Sequence, residues 1–341
     1  MTVKVSRPSI DIRGTLDELN KPSGIAGNAM LAAETPQEQF NLIGAGRRNL
    51  IINGAMQVSQ RGANFNTQGH TLDRWYLNLS GGSGAVTSSA IAAGSEVDGI
   101  KNYLALDVTA GNNYLGMIYK VEGARSLPTG KATLSWWAKG INPAGGTFDC
   151  NMQLIPNGTT TFSAPLSDSF SVTSVWQKYV RVVDIPSYSG MPEETSDGSW
   201  TYIRFVQPAG DTSTDAWALD ITGVQLELGS VATPFEHRSY GEELALCQRY
   251  YYKTLDTIVR NIVPYSTVYS YSDSVTFPVT MRATPLVTIS NAQTYQSGWH
   301  VPSTNNIYRH TAQGFDWEPT GSYTAHVPRL GEFRYTADAE L

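Results

Sequence analysis

Apolar and polar residues alternate along most of the segment 49–236, and clusters of Gly and Pro interrupt the alternation at short intervals. A period of two places successive side chains on opposite faces of a strand. In KATLSWWAKG, for example, Leu134, Trp136 and Ala138 share one face, which leaves Trp137 on the other. Many short strands separated by regular turns predict a β-sandwich.

A change of face marks the last strand of this sandwich. In WALDITGVQLEL, apolar residues occupy odd positions from Trp217 to Ile221 and even positions from Val224 to Leu228. A strand cannot change its buried face without an extra residue in its register, and Gly223 stands where that residue is needed. The pattern therefore predicts a β-bulge at Gly223.

Residues 240–341 begin with a helical pattern and then return to strands. YGEELALCQRYYYK carries Leu244, Cys247 and Tyr251 at helical spacing, so we expect a short helix that joins two domains. One strand is predicted on each side of the turn at 283–285, and GEFRYTADAEL is expected to end the chain as a strand. The polar and aromatic stretch from AQTY to TGSY has no regular pattern and is expected to form long loops.

The first 46 residues contain too few large apolar side chains to bury a core of their own. Within them, ETPQEQFNLIG has the signals of one short helix, with Thr35 as N-cap, Pro36 in the first turn and Gly44 as the stop. Two helical turns are marginal in isolation. We therefore expect residues 1–46 to become ordered by packing against copies of themselves or against a partner.

Composition and charge narrow the class of protein. Only 16% of the 341 residues are charged, which favours strands and turns over helices. The formal charge of -6 gives no electrostatic reason to expect nucleic acid or an anionic membrane as a partner. The first residues lack the apolar segment of a signal peptide, and no run is long enough to span a membrane. We expect a protein made in a cytoplasm without membrane insertion.

The sequence offers no pattern for catalysis or metal binding. Its five histidines are scattered rather than placed at ligand spacing, and no G-x-S-x-G, P-loop or G-x-G-x-x-G segment occurs. Cys150 lies in a predicted strand and Cys247 in a predicted helix, so we expect two buried free thiols rather than a disulfide. The expectation is therefore a protein that is not an enzyme and that uses no metal and no cofactor.

Carbohydrate binding needs fewer special residues, because aromatic rings stack on sugar rings while amide, carboxylate and guanidinium groups bind the hydroxyls. In SWTYIRFVQ, Ile203 and Phe205 are expected to face the core, which leaves Trp200, Tyr202 and Arg204 on the other face. These three are candidate glycan-binding residues, although such a face can also pack on another sheet or subunit. A second set of candidates lies in the predicted C-terminal loops: Trp299, His300, Tyr308 and Trp317.

Several phrases resemble the fibre and tail-fibre proteins of tailed bacteriophages and prophages. In chain order they are NLIINGAMQVSQRG, TLDRWYL, ATLSWWAKG, SVWQKYVRVV, ITGVQLELGSVATPFEHRSYGEELALCQRYYYK and GEFRYTADAEL. The likeness covers residues 49–341, and the stretch from VQLELG to CQRYY is its most specific part. ETPQEQFNLIGAGR is also similar to the linker that precedes the fibre in such proteins.

This resemblance implies an all-β chain in three parts. Residues 1–46 would form an extended or helical segment for virion anchoring and trimerisation, and 47–239 a jelly-roll β-sandwich like a carbohydrate-binding module. Residues 240–341 would form a linker helix and a small C-terminal β domain. The resemblance further implies a homotrimer on a virion, held to other virion proteins through residues 1–46 and adhering to host cell-surface glycans through its β domains.

Three other functions stay open at this stage. The chain can be a head (capsid) fibre or connecting protein without a primary receptor role, and only 46 residues precede the sandwich, so the long shaft of many tail fibres is not expected. It can be a depolymerase that cuts host polysaccharide with a pair of carboxylates that one sequence cannot identify. A binding module from a secreted cellular enzyme is the third alternative.

Overall fold

A computed structural model describes most of the chain from residue 48 to residue 340. Outside the description lie residues 1–47, 80–82, 93, 111–114, 144–145, 196–197, 208–215, 256–257, 263–272, 295–306, 318–328 and 341. The helix predicted in ETPQEQFNLIG and the anchoring role expected of residues 1–46 therefore fall outside the described residues. Residues Asn49–Leu341 form one compact unit.

Two antiparallel six-stranded sheets form the sandwich that the alternation predicts. With strands numbered in chain order, the first sheet contains, in spatial order, β1 (Asn64–Phe65), β4 (Ser83–Ala90), β5 (Asn102–Ala110), β12 (Trp217–Leu228), β7 (Gly130–Ile141) and β10 (Gln177–Ile185). The second contains β2 (Gly69–His70), β3 (Trp75–Leu79), β6 (Leu115–Glu122), β11 (Trp200–Val206), β8 (Phe148–Ile155) and β9 (Ser163–Phe170). The chain crosses repeatedly between the sheets, as in a jelly roll. The expected fold class is confirmed.

The core between the two sheets is rich in aromatic side chains. Trp136 is fully buried there, with its ring centroid 5.1 Å from that of Phe205 and 5.2 Å from that of Phe170. Leu134 and Ala138 are fully buried beside it, as the alternation in β7 predicts. Apolar surface removed from water in this way supplies the main driving force for closing the sandwich.

The predicted bulge in β12 is confirmed. The register of β12 against β7 shifts between Thr222 and Gln225, and Gly223 has a φ of 61°. A Cβ at Gly223 would lie 2.8 Å from Ile100 Cδ1 and 3.0 Å from Trp137 Cδ1. Both the left-handed backbone and the close packing therefore require glycine at this position.

A short helix follows the sandwich, as predicted, but it ends earlier than its apolar spacing indicates. Helix α1 (Tyr240–Gln248) begins with a capping box between Ser239 and Glu242. Tyr251 was expected on this helix and lies instead in strand β13 (Tyr251–Lys253), where the backbone pairs with the last strand of the chain. Tertiary pairing of a tyrosine-rich segment thus outweighs its helical periodicity.

Two small sheets complete the chain. In the first, β19 (Arg329–Asp338) lies between β16 (Leu286–Thr294) on one side and β13 and β14 (Ile258–Ile262) on the other. The second contains, in spatial order, β15 (Asp273–Thr276), β18 (Gly314–Trp317) and β17 (Ile307–Thr311). The predicted final strand is confirmed. β15 and β16, predicted on either side of one turn, belong to different sheets.

The stretch expected to consist of long loops contains a β-hairpin, and that prediction is wrong for residues 307–317. β17 and β18 pair with each other across Ala312 and Gln313, and the Gln313 backbone N–H donates to Thr311 Oγ1. These strands are only five and four residues long. Alternation over so few residues gives no clear pattern in the sequence, and their pairing with β15 depends on long-range register.

A buried ion pair joins the sandwich to the end of the chain. The Arg74 guanidinium donates hydrogen bonds to the Glu340 carboxylate and, at 2.6 Å, to the Lys120 carbonyl oxygen. It also lies 3.5 Å from the ring centroid of Tyr250. Arg61 donates to the same carboxylate at 3.4 Å. Because Arg74 directly precedes β3, Lys120 lies in β6, Tyr250 follows α1 and Glu340 is among the last residues, these contacts connect the sandwich to the C-terminal strands.

Helix α1 is fixed to the sandwich by a second set of polar contacts. Glu243, buried on α1, accepts hydrogen bonds from the Asn53 backbone N–H at 2.5 Å and from Arg238 at 3.3 Å. The Asn53 side chain in turn donates to the carbonyl oxygens of Val58 and Asp73. The phrases NLIINGAM, TLDRWY, FEHRSYGEE and TADAEL therefore meet where sandwich and C-terminal strands join. The boundary proposed between 47–239 and 240–341 stays a prediction.

Candidate functional site

Strand β11 runs through the second sheet between β6 and β8 and directs alternate side chains outward. Ile203 and Phe205 are fully buried in the core. Trp200, Tyr202 and Arg204 alternate with them and are partly exposed on the outer face. The two faces predicted for SWTYIRFVQ are therefore confirmed. The glycan-binding role of the three outer residues stays a prediction at this point.

Polar side chains flank these residues on both neighbouring strands. Tyr202 lies directly opposite Lys120 on β6 and Gln153 on β8, and Arg204 lies opposite Asn151 on β8. Side chains directly opposite each other in an antiparallel pair share a face of the sheet and lie within reach of one another. The outer face thus combines an aromatic ring, two cations and two amides on adjacent strands. We call this set the outer-face cluster: Lys120, Asn151, Gln153, Tyr202 and Arg204.

Trp200 lies at the end of this cluster nearest the C-terminal strands. The Lys120 Nζ is 3.9 Å from its ring centroid, a cation–π contact that occupies one face of the indole. Directly opposite on β6, Glu122 accepts hydrogen bonds from Arg249 at 2.8 Å and from the Tyr250 hydroxyl at 2.9 Å. Trp200 therefore contacts the cluster through Lys120, while its partner on β6 contacts the residues that follow α1.

The electrostatic environment of Lys120 follows from the same packing. Burial lowers the pKa of its ammonium group, and the neighbouring Arg74 lowers it further, while Glu340 raises it. A group whose charged form is partly removed from water gains more from a new hydrogen-bond acceptor than one that is fully hydrated. The charged form of Lys120 therefore depends on nearby anionic groups such as Glu340.

The outer face continues toward the edge of the second sheet through β3. Tyr76 lies opposite Ile118 on β6, and Asn78 follows two residues later on the same face. The Tyr76 hydroxyl accepts a hydrogen bond from Gln68 at 3.0 Å, and its ring meets His70 edge to face at 5.1 Å. Neighbouring strands lie about 4.8 Å apart, so β3, β6, β11 and β8 together offer a strip about 14 Å wide.

The candidates proposed for the C-terminal loops have a different outcome. Trp317 is fully buried, with its ring centroid 4.9 Å from that of Phe333, so the prediction of a surface role is wrong for this residue. It lies on the inner face of β18, in the core of the C-terminal sheets. Tyr308 lies in β17, but its side chain is outside the described residues, as are Trp299 and His300 entirely.

Three members of the outer-face cluster were not among the residues predicted from the sequence, namely Lys120, Asn151 and Gln153. Each alternates with buried neighbours, in GMIYKVE for Lys120 and in DCNMQLI for the two amides. That alternation would have placed them on an outer face. Only the register of the sheet shows that this face is the one that carries Tyr202 and Arg204.

Other functional features are few in the part of the chain that the structure describes. Within it, no group of three or more His, Cys, Asp and Glu side chains converges in a way that could hold a metal ion. The helical residues that the structure describes include no segment long and apolar enough to cross a membrane. Cys150 and Cys247 are free and buried, as predicted, and burial raises the pKa of both thiols.

No protein-family profile matches the chain, and no curated protein matches it in sequence. Among solved structures, it is similar to the enzymatically active domain of tailspike protein 4 from bacteriophage CBA120, at 16% identity and a TM-score of 0.39. This match covers 53% of the present chain and only 21% of the tailspike chain.

Two further similarities are to cellular proteins. The N-terminal cellulose-binding domain of β-1,4-glucanase C from Cellulomonas fimi matches at 18% identity and a TM-score of 0.30, over 51% of this chain and 93% of that domain. A cyclase from Fischerella sp. TAU matches at 15% identity and a TM-score of 0.35, over 55% of this chain and 100% of that one. None of these similarities identifies a ligand or an activity for this chain.

Proposed function

We propose that this chain is a fibre protein of a tailed-phage virion, that it forms a homotrimer, and that it binds host cell-surface glycans without cutting them. The proposed binding surface is the outer-face cluster of the second sheet. The observation that carries the proposal is the register of β11, which sets Tyr202 between Lys120 and Gln153 and sets Arg204 beside Asn151.

The chemistry of this face suits a sugar better than an apolar partner. A pyranose presents C–H groups on its ring faces and hydroxyls on its edge, so it needs an aromatic surface together with both donors and acceptors. Tyr202 offers the ring, the amides of Asn151 and Gln153 offer donors and acceptors, and Arg204 offers a planar set of N–H donors. Asn151 is buried, and Gln153, Tyr202 and Arg204 are partly buried. This burial restricts their motion before a ligand binds, which lowers the entropic cost of binding.

The virion role rests on the resemblance of the sequence phrases to tailed-phage fibre proteins. Several of those phrases form the junction between the sandwich and the C-terminal strands, where Arg74 meets Glu340 and Asn53 meets Glu243. The residues in these phrases therefore hold the sandwich and the C-terminal strands together, and they need not contact a ligand. In this proposal residues 1–46 hold three copies together and attach them to other virion proteins.

The binding part of the proposal is tested on an array of bacterial capsular polysaccharides and lipopolysaccharides. The full-length protein is expected to bind at least one of them, and Arg204→Met is expected to weaken that binding about tenfold, because a charged donor contributes strongly to a hydrogen bond. Arg309→Met is the matched control, since Arg309 is highly exposed on β17, away from the cluster. Binding to no polysaccharide, or equal binding by both variants, would contradict the proposal.

Two further measurements separate the proposed role from its alternatives. Light scattering of the full-length protein is expected to give the mass of a trimer, and a monomer would contradict the assembly. Incubation with the bound polysaccharide is expected to release no new reducing ends, whereas their appearance would show a depolymerase. Immunogold labelling of virions distinguishes a tail fibre from a head fibre, and absence of label from virions would refute the virion role.

A further inference from the structure

A pocket of about 400 Å³ opens on the outer face of the first sheet, on the opposite side of the sandwich from the outer-face cluster. Tyr103 on β5 and Lys139 on β7 line it, together with Ser174 and Trp176 from the segment between β9 and β10. Val175, between Ser174 and Trp176, also lines it, and the rest of the described lining comes from the end of β4 and the residues after it: Ala90, Ile91, Ala92 and Ser95. A pocket of this volume falls in the range of small-molecule sites.

Two aromatic rings meet at a corner in this pocket. The ring centroids of Tyr103 and Trp176 are 5.5 Å apart, and the ring planes are inclined by 80°. The Lys139 Nζ lies 5.5 Å from the first centroid and 5.1 Å from the second. The pocket thus brings together a flat aromatic wall, the edge of a second ring and an ammonium group, which are drawn from two sheet strands and one connecting segment.

Lys139 is the charged side chain among the described residues that line the pocket. Its ammonium lies 3.4 Å from Asp220 Oδ2, across the β7–β12 pair, and Asp220 itself is not part of the lining. Burial raises the pKa of Asp220 to about 6, while Lys139 lowers it and Asp107 raises it. An ammonium has three N–H donors, so the contact with Asp220 leaves donors for a second acceptor.

We propose that this pocket is a second saccharide site and that its ligand is a pyranose carrying a carboxylate group. The sugar ring would stack on the aromatic corner of Tyr103 and Trp176, and the carboxylate would accept charge-assisted hydrogen bonds from Lys139. The Ser174 hydroxyl supplies both a donor and an acceptor for the hydroxyls of the same ring. The donors that Lys139 keeps beside Asp220 favour a ligand with an anionic acceptor, and the aromatic corner favours a ring over an open-chain acid.

This second site does not depend on the outer-face cluster, because the two lie on different sheets. Calorimetric titration of the full-length protein tests the second site with two pairs of ligands. Methyl β-D-glucuronide is compared with methyl β-D-glucoside, and methyl α-D-galacturonide is compared with methyl α-D-galactoside. At least one uronide is expected to bind about tenfold more tightly than its neutral counterpart, because only the uronide carries an anionic acceptor for Lys139.

Variants assign the binding to this pocket. Lys139→Met is expected to abolish the preference for the uronide over its neutral counterpart. Trp176→Ala is expected to lower the affinity for the uronide about tenfold through loss of stacking. Lys131→Met is the matched control: Lys131 also lies on β7 and pairs with an aspartate, Asp184 at 2.5 Å, but lies outside the pocket. This variant is expected to bind as the wild type does.

Three results would overturn the proposal. They are equal affinity for uronides and neutral glycosides, absence of binding by either uronide at millimolar concentration, and an unchanged preference in Lys139→Met. Thermal unfolding of each variant shows whether a loss of binding reflects a loss of fold. Lys139→Met replaces an ammonium by an apolar group of similar length. If Trp176→Ala is destabilised, the preference for the uronide can therefore still be tested with Lys139→Met alone.

Discussion

Arg74 and Glu340 are separated by 266 residues in sequence and form an ion pair that is almost fully buried, with side-chain exposures of 1% and 3%. The guanidinium also contacts the Tyr250 ring, and the carboxylate also contacts Arg61. Both charges depend on each other, because a buried charge without a partner is strongly unfavourable. The sandwich and the last strand of the chain are therefore expected to unfold together.

Glu340→Gln is expected to lower the free energy of unfolding by about 3–5 kcal/mol, because it leaves the buried Arg74 without its counter-ion. Urea titration at neutral pH measures the change. Asp184→Asn is the matched control, since Asp184 pairs with Lys131 at 2.5 Å while both side chains are more than half exposed. That variant is expected to lose less than about 1 kcal/mol. Similar losses in the two variants would contradict a buried pair.

Acid is expected to weaken the same junction through His70. Burial lowers the pKa of this imidazole to about 4, and Arg61 and Arg74 lower it further, while Glu340 and Asp338 raise it. The folded-state pKa thus lies below the ordinary value of 6.5. Neutral His70 therefore contributes stability that is complete above pH 6.5 and is lost as the pH falls toward 4.

The variant His70→Gln isolates this contribution. The free energies of unfolding of the wild type and the variant are measured by urea titration at several values between pH 6.5 and about 4, and their difference is taken at each pH. The wild type is expected to lose on the order of 3 kcal/mol relative to the variant across that window. Titrating groups that do not interact with His70 are common to both proteins and cancel. A difference that does not change with pH would show that the imidazole pKa is not depressed.

The bulge in β12 is tested by comparing two glycines with positive φ. Gly223→Ala is expected to be destabilised by strain of about 1–2 kcal/mol and by a further 1–3 kcal/mol, roughly, from overlap with Ile100 and Trp137. Gly229 has a φ of 97° and no atom within 4 Å of an added Cβ, so Gly229→Ala is expected to show only the strain. Thermal unfolding measures both. Equal losses would mean that close packing at Gly223 is unimportant.

Alternation along single strands was enough to predict the faces of the sandwich. Trp136, Ile203 and Phe205 are buried as expected, and the change of face around Gly223 located a bulge. These features could be predicted because burial on one face of a strand leaves a pattern of period two in the local sequence.

Features that depend on distant parts of the chain could not be predicted in the same way. Tyr251 follows a helical spacing but pairs with Asp338 in the last strand, and Trp317 lies in a polar stretch but packs against Phe333. The neighbours of Tyr202 are likewise set by strand register, which joins residues far apart in sequence. No local pattern encodes such a pairing.

The affinity of the full-length protein for a bound bacterial polysaccharide, measured for Tyr202→Ala, tests the role of the outer-face cluster most directly. Tyr240→Ala is the matched control, because Tyr240 is 57% exposed at the start of α1 and lies outside the cluster. Tyr202→Ala is expected to bind at least about tenfold more weakly than the wild type, through loss of stacking, while Tyr240→Ala keeps the wild-type affinity. A folded Tyr202→Ala protein that binds as tightly as the wild type would show that this face does not hold the glycan.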